Sequence, residues 1–160
     1  MSKQRLIDQI ITQLSQAAEA AALAADEAHQ NATYAESAAE TQYDTLGLEN
    51  AYLAHGQSMR LDELQQAIAH YRQLPVRAFS EDDEIALGAL VEATSDTGNS
   101  RWFFIGPMQG GLQLSWEDHP VTLITPQTPV GTLLIGRYLD DEVELPGSDG
   151  VSHYVINSLL

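Results

Sequence analysis

Apolar residues at Ile7, Ile10, Leu14, Ala17, Ala21, Ala24 and Ala28 recur at alternating steps of four and three. That rhythm lays one apolar seam along a helix, the pattern of a coiled-coil stripe. It predicts a first helix from Lys3 to about Asn31, a stretch without Pro or Gly. The seam passes from Ile and Leu to Ala, and residues 17–32 are more than half alanine, the strongest helix former. Leu61, Leu64, Ile68 and Tyr71 repeat the rhythm and predict a second helix. It begins at Asp44 or Thr45, either of which suits an N-cap. It ends near Leu74, because Pro75 disfavours helix in the residue before it. A lone helix is marginal in water, so the two are expected to fold back as an antiparallel coiled-coil hairpin. Leu48, Tyr52, Leu53 and Met59 on the return helix are expected to fill the space left by the alanines of the outgoing one. Gly47 and Gly56 each weaken the return helix by about 1 kcal/mol.

From Pro75 the period changes. Pro75-Val-Arg-Ala-Phe-Ser-Glu-Asp-Asp-Glu84 reads as a linker, and short apolar runs separated by turn residues follow. Ile85–Ala93, Trp102–Ile105, Leu112–Trp116, Val121–Ile124, Glu142–Leu145 and His153–Ile156 are expected strands. Between the fourth and fifth lies Thr128-Pro-Val-Gly-Thr-Leu-Leu-Ile-Gly136. It has a capping hydroxyl, Pro at the first helical position and Gly at the end, which predicts a short helix over 128–136. The fold class expected is α+β, a hairpin followed by a small antiparallel β domain with one helix. The domain organisation expected is a hairpin over residues 1–75, a linker over 76–84 and a β domain over 85–160.

The turn of the hairpin, residues 33–49, carries Glu36, Glu40, Asp44 and Glu49 and no basic residue. No core of this chain uses carboxylates at a fingertip, so they are expected to face something outside it. Asp44 and Glu49 are the first candidates. Glu36 and Glu40, one helical turn apart, are the second. The bland alternative is a helix cap and a solvated helix surface, since acids are favoured in a first turn.

Charge sharpens this picture. Formal net charge is −16, with four basic and ten acidic residues in 1–75, and three and thirteen in 76–160. Phosphate binding draws on clustered Lys and Arg, so no direct tight binding of nucleic acid is expected from the chain alone. A basic protein surface or a cation is the better partner. No run of eighteen apolar residues suggests a membrane span, and no signal-peptide core precedes the first helix. Without cysteine there is no disulfide, thiolate site or thiol nucleophile. A cytoplasmic monomer is expected.

Two stretches resemble the bacterial GreA/GreB family of transcript-cleavage and elongation factors. The first is Ile124-Thr-Pro-Gln-Thr-Pro-Val-Gly-Thr-Leu-Leu-Ile-Gly136 with Asp141-Glu-Val-Glu-Leu145. It is similar to the family's C-terminal run, where Ser-Pro opens a short helix ending in Leu-x-Gly. Thr128 stands in place of that Ser, and Arg137 where Lys is common. Tyr154-Val-Ile is similar to the family's last strand. The second stretch is Glu49-Asn50-Ala51 with Tyr52, similar to the Glu-Asn-Ala-x-Tyr that follows the family's acidic tip. There the tip Asp precedes Glu by three residues, whereas Asp44 precedes Glu49 by five. The family's basic patch on the finger has no counterpart here.

The resemblance implies an FKBP-like C-terminal domain that docks on RNA polymerase while the finger enters its secondary channel. It implies an accessory factor, not an enzyme, whose Asp44 and Glu49 share a Mg²⁺ ion at the polymerase active centre and assist cleavage of backtracked RNA. The altered spacing leaves a second reading open, a channel-binding regulator that cleaves nothing. A third is a stand-alone peptide-binding or folding-helper protein. Its groove would use Trp102, Phe103, Phe104 and Trp116, which otherwise read as core. His29, His55, His70, His119 and His153 supply no third ligand for a zinc site by spacing. Glu81-Asp-Asp-Glu84 reads as a solvated linker.

Overall fold

The computed structural model describes residues 2–38 and 45–160, and gives the backbone alone for 32–38 and 45–47. The element order is α1 (Lys3–Ala38), α2 (Thr45–Gln73), β1 (Leu90–Ser95), β2 (Ser100–Ile105), β3 (Gln113–Trp116), β4 (His119–Ile124), α3 (Pro129–Leu134), β5 (Glu142–Gly147) and β6 (Gly150–Leu159). This is an α+β fold, a helical hairpin followed by a six-stranded sheet with a short helix. The first helix runs seven residues beyond the expected end at Asn31, because Ala32 to Ala38 include no Gly or Pro to stop it. The second ends one residue before Leu74, as Pro75 dictates.

The chain divides into two compact units, residues 1–10 with 70–160, and residues 11–69. In the larger unit the sheet order is β3-β4-β2-β1-β6-β5. Four of its five pairings are antiparallel, as expected, but β2 and β4 run parallel. The cause lies in residues 106–112. Gly106, Pro107, Gly110 and Gly111 carry the chain back over the sheet, with Gln109 and Gly111 at positive φ. The β3–β4 hairpin is therefore laid down with β4 pointing the same way as β2. The first strand starts at Leu90 and not at Ile85, because Gly88 turns through a left-handed conformation (φ 88°).

Strand alternation gives the sheet two apolar faces. One face carries Val91, Ala93, Phe103, Ile105, Ile124, Val143, Leu145 and Ile156, closed over by Phe79, Ile85 and Leu134 of α3. Leu90, Phe104, Val121 and Leu123 alternate with these and are also buried. Phe103 and Phe104 are both in the core, as one of their two readings expects. The period of two sends them to opposite faces.

Three side chains near the helix ends belong to this larger unit. The Lys3 ammonium donates to the carbonyls of Arg77, Gly88 (2.9 Å) and Leu160 (3.0 Å) and lies 4.7 Å from the centre of the Phe79 ring. Burial, and then the Arg77 guanidinium, push its pKa down to about 8. Gln9 pairs through its amide with the backbone of Ser115 on the edge strand β3. The buried Tyr71 hydroxyl donates to the Met108 carbonyl. Burial raises its pKa well above the ordinary tyrosine range, and the bond to Met108 acts in the opposite sense.

Candidate functional site

The smaller unit, residues 11–69, carries the expected seam. Leu14, Ala18, Ala21 and Ala28 are buried on α1, and Leu64, Ala67 and Ile68 on α2. Ala17 and Ala24 are only half-buried, so the stripe shifts by one residue at Ala18 relative to the heptad reading. A straight helix of 3.6 residues per turn drifts against a strict seven-residue repeat, and a shift of this kind follows.

The tip carboxylates are only partly placed. Glu40 and Asp44 lie outside the described residues, and Glu36 falls within α1, described by its backbone alone. Glu49 is described. It sits in the second turn of α2 with its side chain exposed, and it shares a helix face with Tyr52, Leu53 and Gly56. These residues and Gln57 line an open groove of about 470 Å³. Glu49 therefore presents one solvated carboxylate beside an apolar surface. Among the described residues no group of three or more His, Asp or Glu side chains could hold a metal ion. Glu49 by itself offers too few oxygens to hold a Mg²⁺ ion.

The expected packing of the return helix is overturned. Leu48, Tyr52, Leu53 and Met59 are 53%, 68%, 58% and 54% exposed and fill no gap against α1. The alanine seam needs no such filling, because small side chains let helices approach closely. The sequence reading missed the surface that results. Its signal was present as four large apolar residues within twelve positions, all assigned to one seam.

The histidines make no cluster. His29 and His55 are both exposed. His29 borders a shallow depression with Glu19, Asp26, Ser58 and Leu61. His153 lies 3.8 Å from Glu142 across the β5–β6 pair. His119 stacks on Trp102, with ring centroids 5.2 Å apart and planes inclined by 22°. Among the described residues the buried Trp102 Nε1 has no hydrogen-bond partner. Phe103 and Phe104 are fully buried, and Trp116 nearly so. Trp102 is half-buried, whereas Phe103, Phe104 and Trp116 are packed in the core.

In the acidic linker, Asp83 closes a turn. It accepts from the backbone N–H and the hydroxyl of Ser80 at 2.8 and 3.1 Å, and Arg77 lies 3.7 Å away. The backbone bond from Ser80 leads the lowering of its pKa. One of the four linker acids is thus structural.

The Thr-Pro motif forms as its residues require. Thr128 is the N-cap of α3, and its Oγ1 accepts from the Gly131 N–H while donating to the Thr125 carbonyl at 2.8 Å. Pro129 occupies the first turn, and Gly136 follows the helix at φ 84°. Gly131 packs so closely on the Thr125 carbonyl that no side chain fits.

No protein-family profile matches the chain, and no curated protein sequence does. Solved structures align with it. GreA factor homolog 1 (Gfh1) of Thermus thermophilus aligns over 96% of this chain and 94% of its own, at 19% identity and a TM-score of 0.39. Gfh1 of Thermus aquaticus aligns over 95% and 92%, at 19% identity and a TM-score of 0.39. A GreA/GreB transcription elongation factor from Nitrosomonas europaea aligns over 66% of this chain and 89% of its own, at 15% identity and a TM-score of 0.36. Similarity at this level is too low to transfer a function.

Proposed function

We propose that this chain is an accessory factor of transcription that binds RNA polymerase at its secondary channel, its helical hairpin serving as the finger. The observation that carries the reading is Glu49, an exposed carboxylate at the start of the return helix. It stands in a Glu-Asn-Ala-x-Tyr-like context, with only the final Tyr one place early. The Thr128-Pro129 cap supports the reading too, since it builds the short helix that the family's Ser-Pro run builds. The β domain, FKBP-like on this reading, is the docking part. Charge supports a basic partner surface and not nucleic acid, because residues 11–69 hold nine carboxylates and one Arg.

In this reading Asp44 and Glu49 bring oxygen ligands to a Mg²⁺ ion at the polymerase active centre. The ion supplies a polarised phosphate and an activated water when bound. The chain's own part is to carry one or two carboxylates to that place and hold them on a helix.

Backtracked elongation complexes test the chemistry. RNA shortening with the wild type, lost in Asp44→Asn and in Glu49→Gln, is the result expected from a cleavage factor. Each amide keeps the size and one oxygen but loses the charge that holds the metal. No shortening by the wild type, with binding retained, selects the non-cleaving regulator, the reading favoured by the five-residue step from Asp44 to Glu49.

A further inference from the structure

Gly56 lies in the middle of α2, where a glycine weakens a helix. Among the described residues nothing requires it. A Cβ added there would meet no atom within 4 Å, and its φ is not positive. What the missing side chain does is open a notch. Tyr52 and Leu53 stand on either side of it one turn before, with Glu49 two turns before and Gln57 beside it. Leu48 and Met59 extend the apolar surface in both directions along the helix.

The stripe adjoins the seam and widens the helix's apolar arc beyond it. At about 100° per residue, Leu48, Tyr52, Gly56 and Met59 fall within about 80° of arc. The buried Leu64, Ala67 and Ile68 lie further round the helix, and Leu53 falls within their arc yet is exposed. The helix is thus apolar over more than its buried seam, and Leu48, Tyr52, Leu53 and Met59, each more than half exposed, are open to solvent. An exposed aromatic and aliphatic stripe of this kind marks an interaction surface.

Charge selects the occupant. A second copy would bring together two stretches of residues 11–69 that each hold nine carboxylates against Arg60 alone. We propose that the notch is a docking groove for an amphipathic helix of a basic partner protein. The apolar side chains of that helix lie against Tyr52 and Leu53, its backbone comes closest over Gly56, and its Lys and Arg flank Glu49. Any protein that presents such a helix suits the groove, so the inference does not depend on the polymerase reading.

The probe is a synthetic eighteen-residue Leu/Lys helix, with a Leu/Glu helix of the same apolar pattern as control. Titration calorimetry on the full chain reads both. The Leu/Lys peptide is expected to bind, and the Leu/Glu peptide not. Tyr52→Ser and Gly56→Leu should each weaken binding at least tenfold. Gly56→Leu should also raise the melting temperature, so its loss of binding is not a loss of folding. Val151→Ser, at an equally exposed apolar site on β6, should bind as the wild type. Equal affinity of the wild type and Gly56→Leu overturns the proposal, as does equal binding of the two peptides. So does a wild-type dimer that Tyr52→Ser dissociates, which would assign the groove to a second copy.

Discussion

Gln9 and Ser115 exchange two hydrogen bonds, each of 2.8 Å, between a side-chain amide and the backbone of an edge strand. Gln9 thereby does for β3 what a seventh strand would do, satisfying one N–H and one C=O of an otherwise open edge. The residues are 106 positions apart, and no local pattern links them. Gln9→Leu leaves both groups to water. Because the pair is exposed, the expected loss is modest, about 1 kcal/mol. The larger effect expected is self-association through β3, read by sedimentation velocity. Unchanged stability and an unchanged monomer fraction would contradict it.

Tyr71 and Gly106 share one space. A Cβ at position 106 would overlap the Tyr71 hydroxyl and come within 2.8 Å of Leu123 Cδ1. Gly106→Ala is therefore expected to cost about 3 kcal/mol by overpacking. Tyr71→Phe loses the bond to Met108 and costs about 1 kcal/mol. Combined, they should cost less than their sum, because the second removes the atom that the first strikes. Urea melts of the three variants check this, and strict additivity would show that the two side chains do not compete.

Lys3 gives stability a particular pH dependence. Its pKa is pushed to about 8 in the folded chain, against 10.5 for a free lysine. Below about pH 8 it is protonated folded and unfolded, and the desolvation cost is fully present. As pH rises from 8 through 10.5 the folded chain releases its proton first, so stability rises. Lys3→Met should lack that rise. The stability difference between wild type and variant is expected to move in the wild type's favour from pH 7.5 to pH 10. A flat difference would contradict the shift.

At the start of α3, Thr128→Ala removes the cap and is expected to cost about 1 kcal/mol. Thr128→Ser should restore most of it, since the same hydroxyl reaches the Gly131 N–H. Gly131→Ala should be far worse, because the added carbon meets the Thr125 backbone and not a side chain that can turn away. Thermal melts rank the three, and a Gly131→Ala variant as stable as the wild type would overturn the packing.

What was legible in the sequence were the local patterns. Seam periodicity located both long helices, Pro75 fixed where the second ends, and the Thr128-Pro129 pair located the third. Turn residues separated six strands at nearly their observed positions. The parallel β2–β4 pair was not legible, because it depends on how residues 106–112 turn, with Gln109 at a positive φ that no turn motif demands. The roles of Lys3, Gln9 and Tyr71 depend on contacts distant in sequence. Leu48, Tyr52, Leu53 and Met59 were legible as apolar but not as exposed, because hydrophobicity shows that a residue can be buried and not against what. Of the candidate tip residues, Glu49 alone has a described side chain, and it is exposed.

Binding to core RNA polymerase tests the central claim most directly. The measurement is co-elution of the full chain with purified core enzyme on size exclusion, at physiological salt, with free duplex DNA run in parallel. The account predicts that the chain elutes with the polymerase, that Glu49→Gln does so equally, and that DNA alone retains none. A chain that stays apart from the polymerase at micromolar concentrations, or binds the DNA instead, would contradict it.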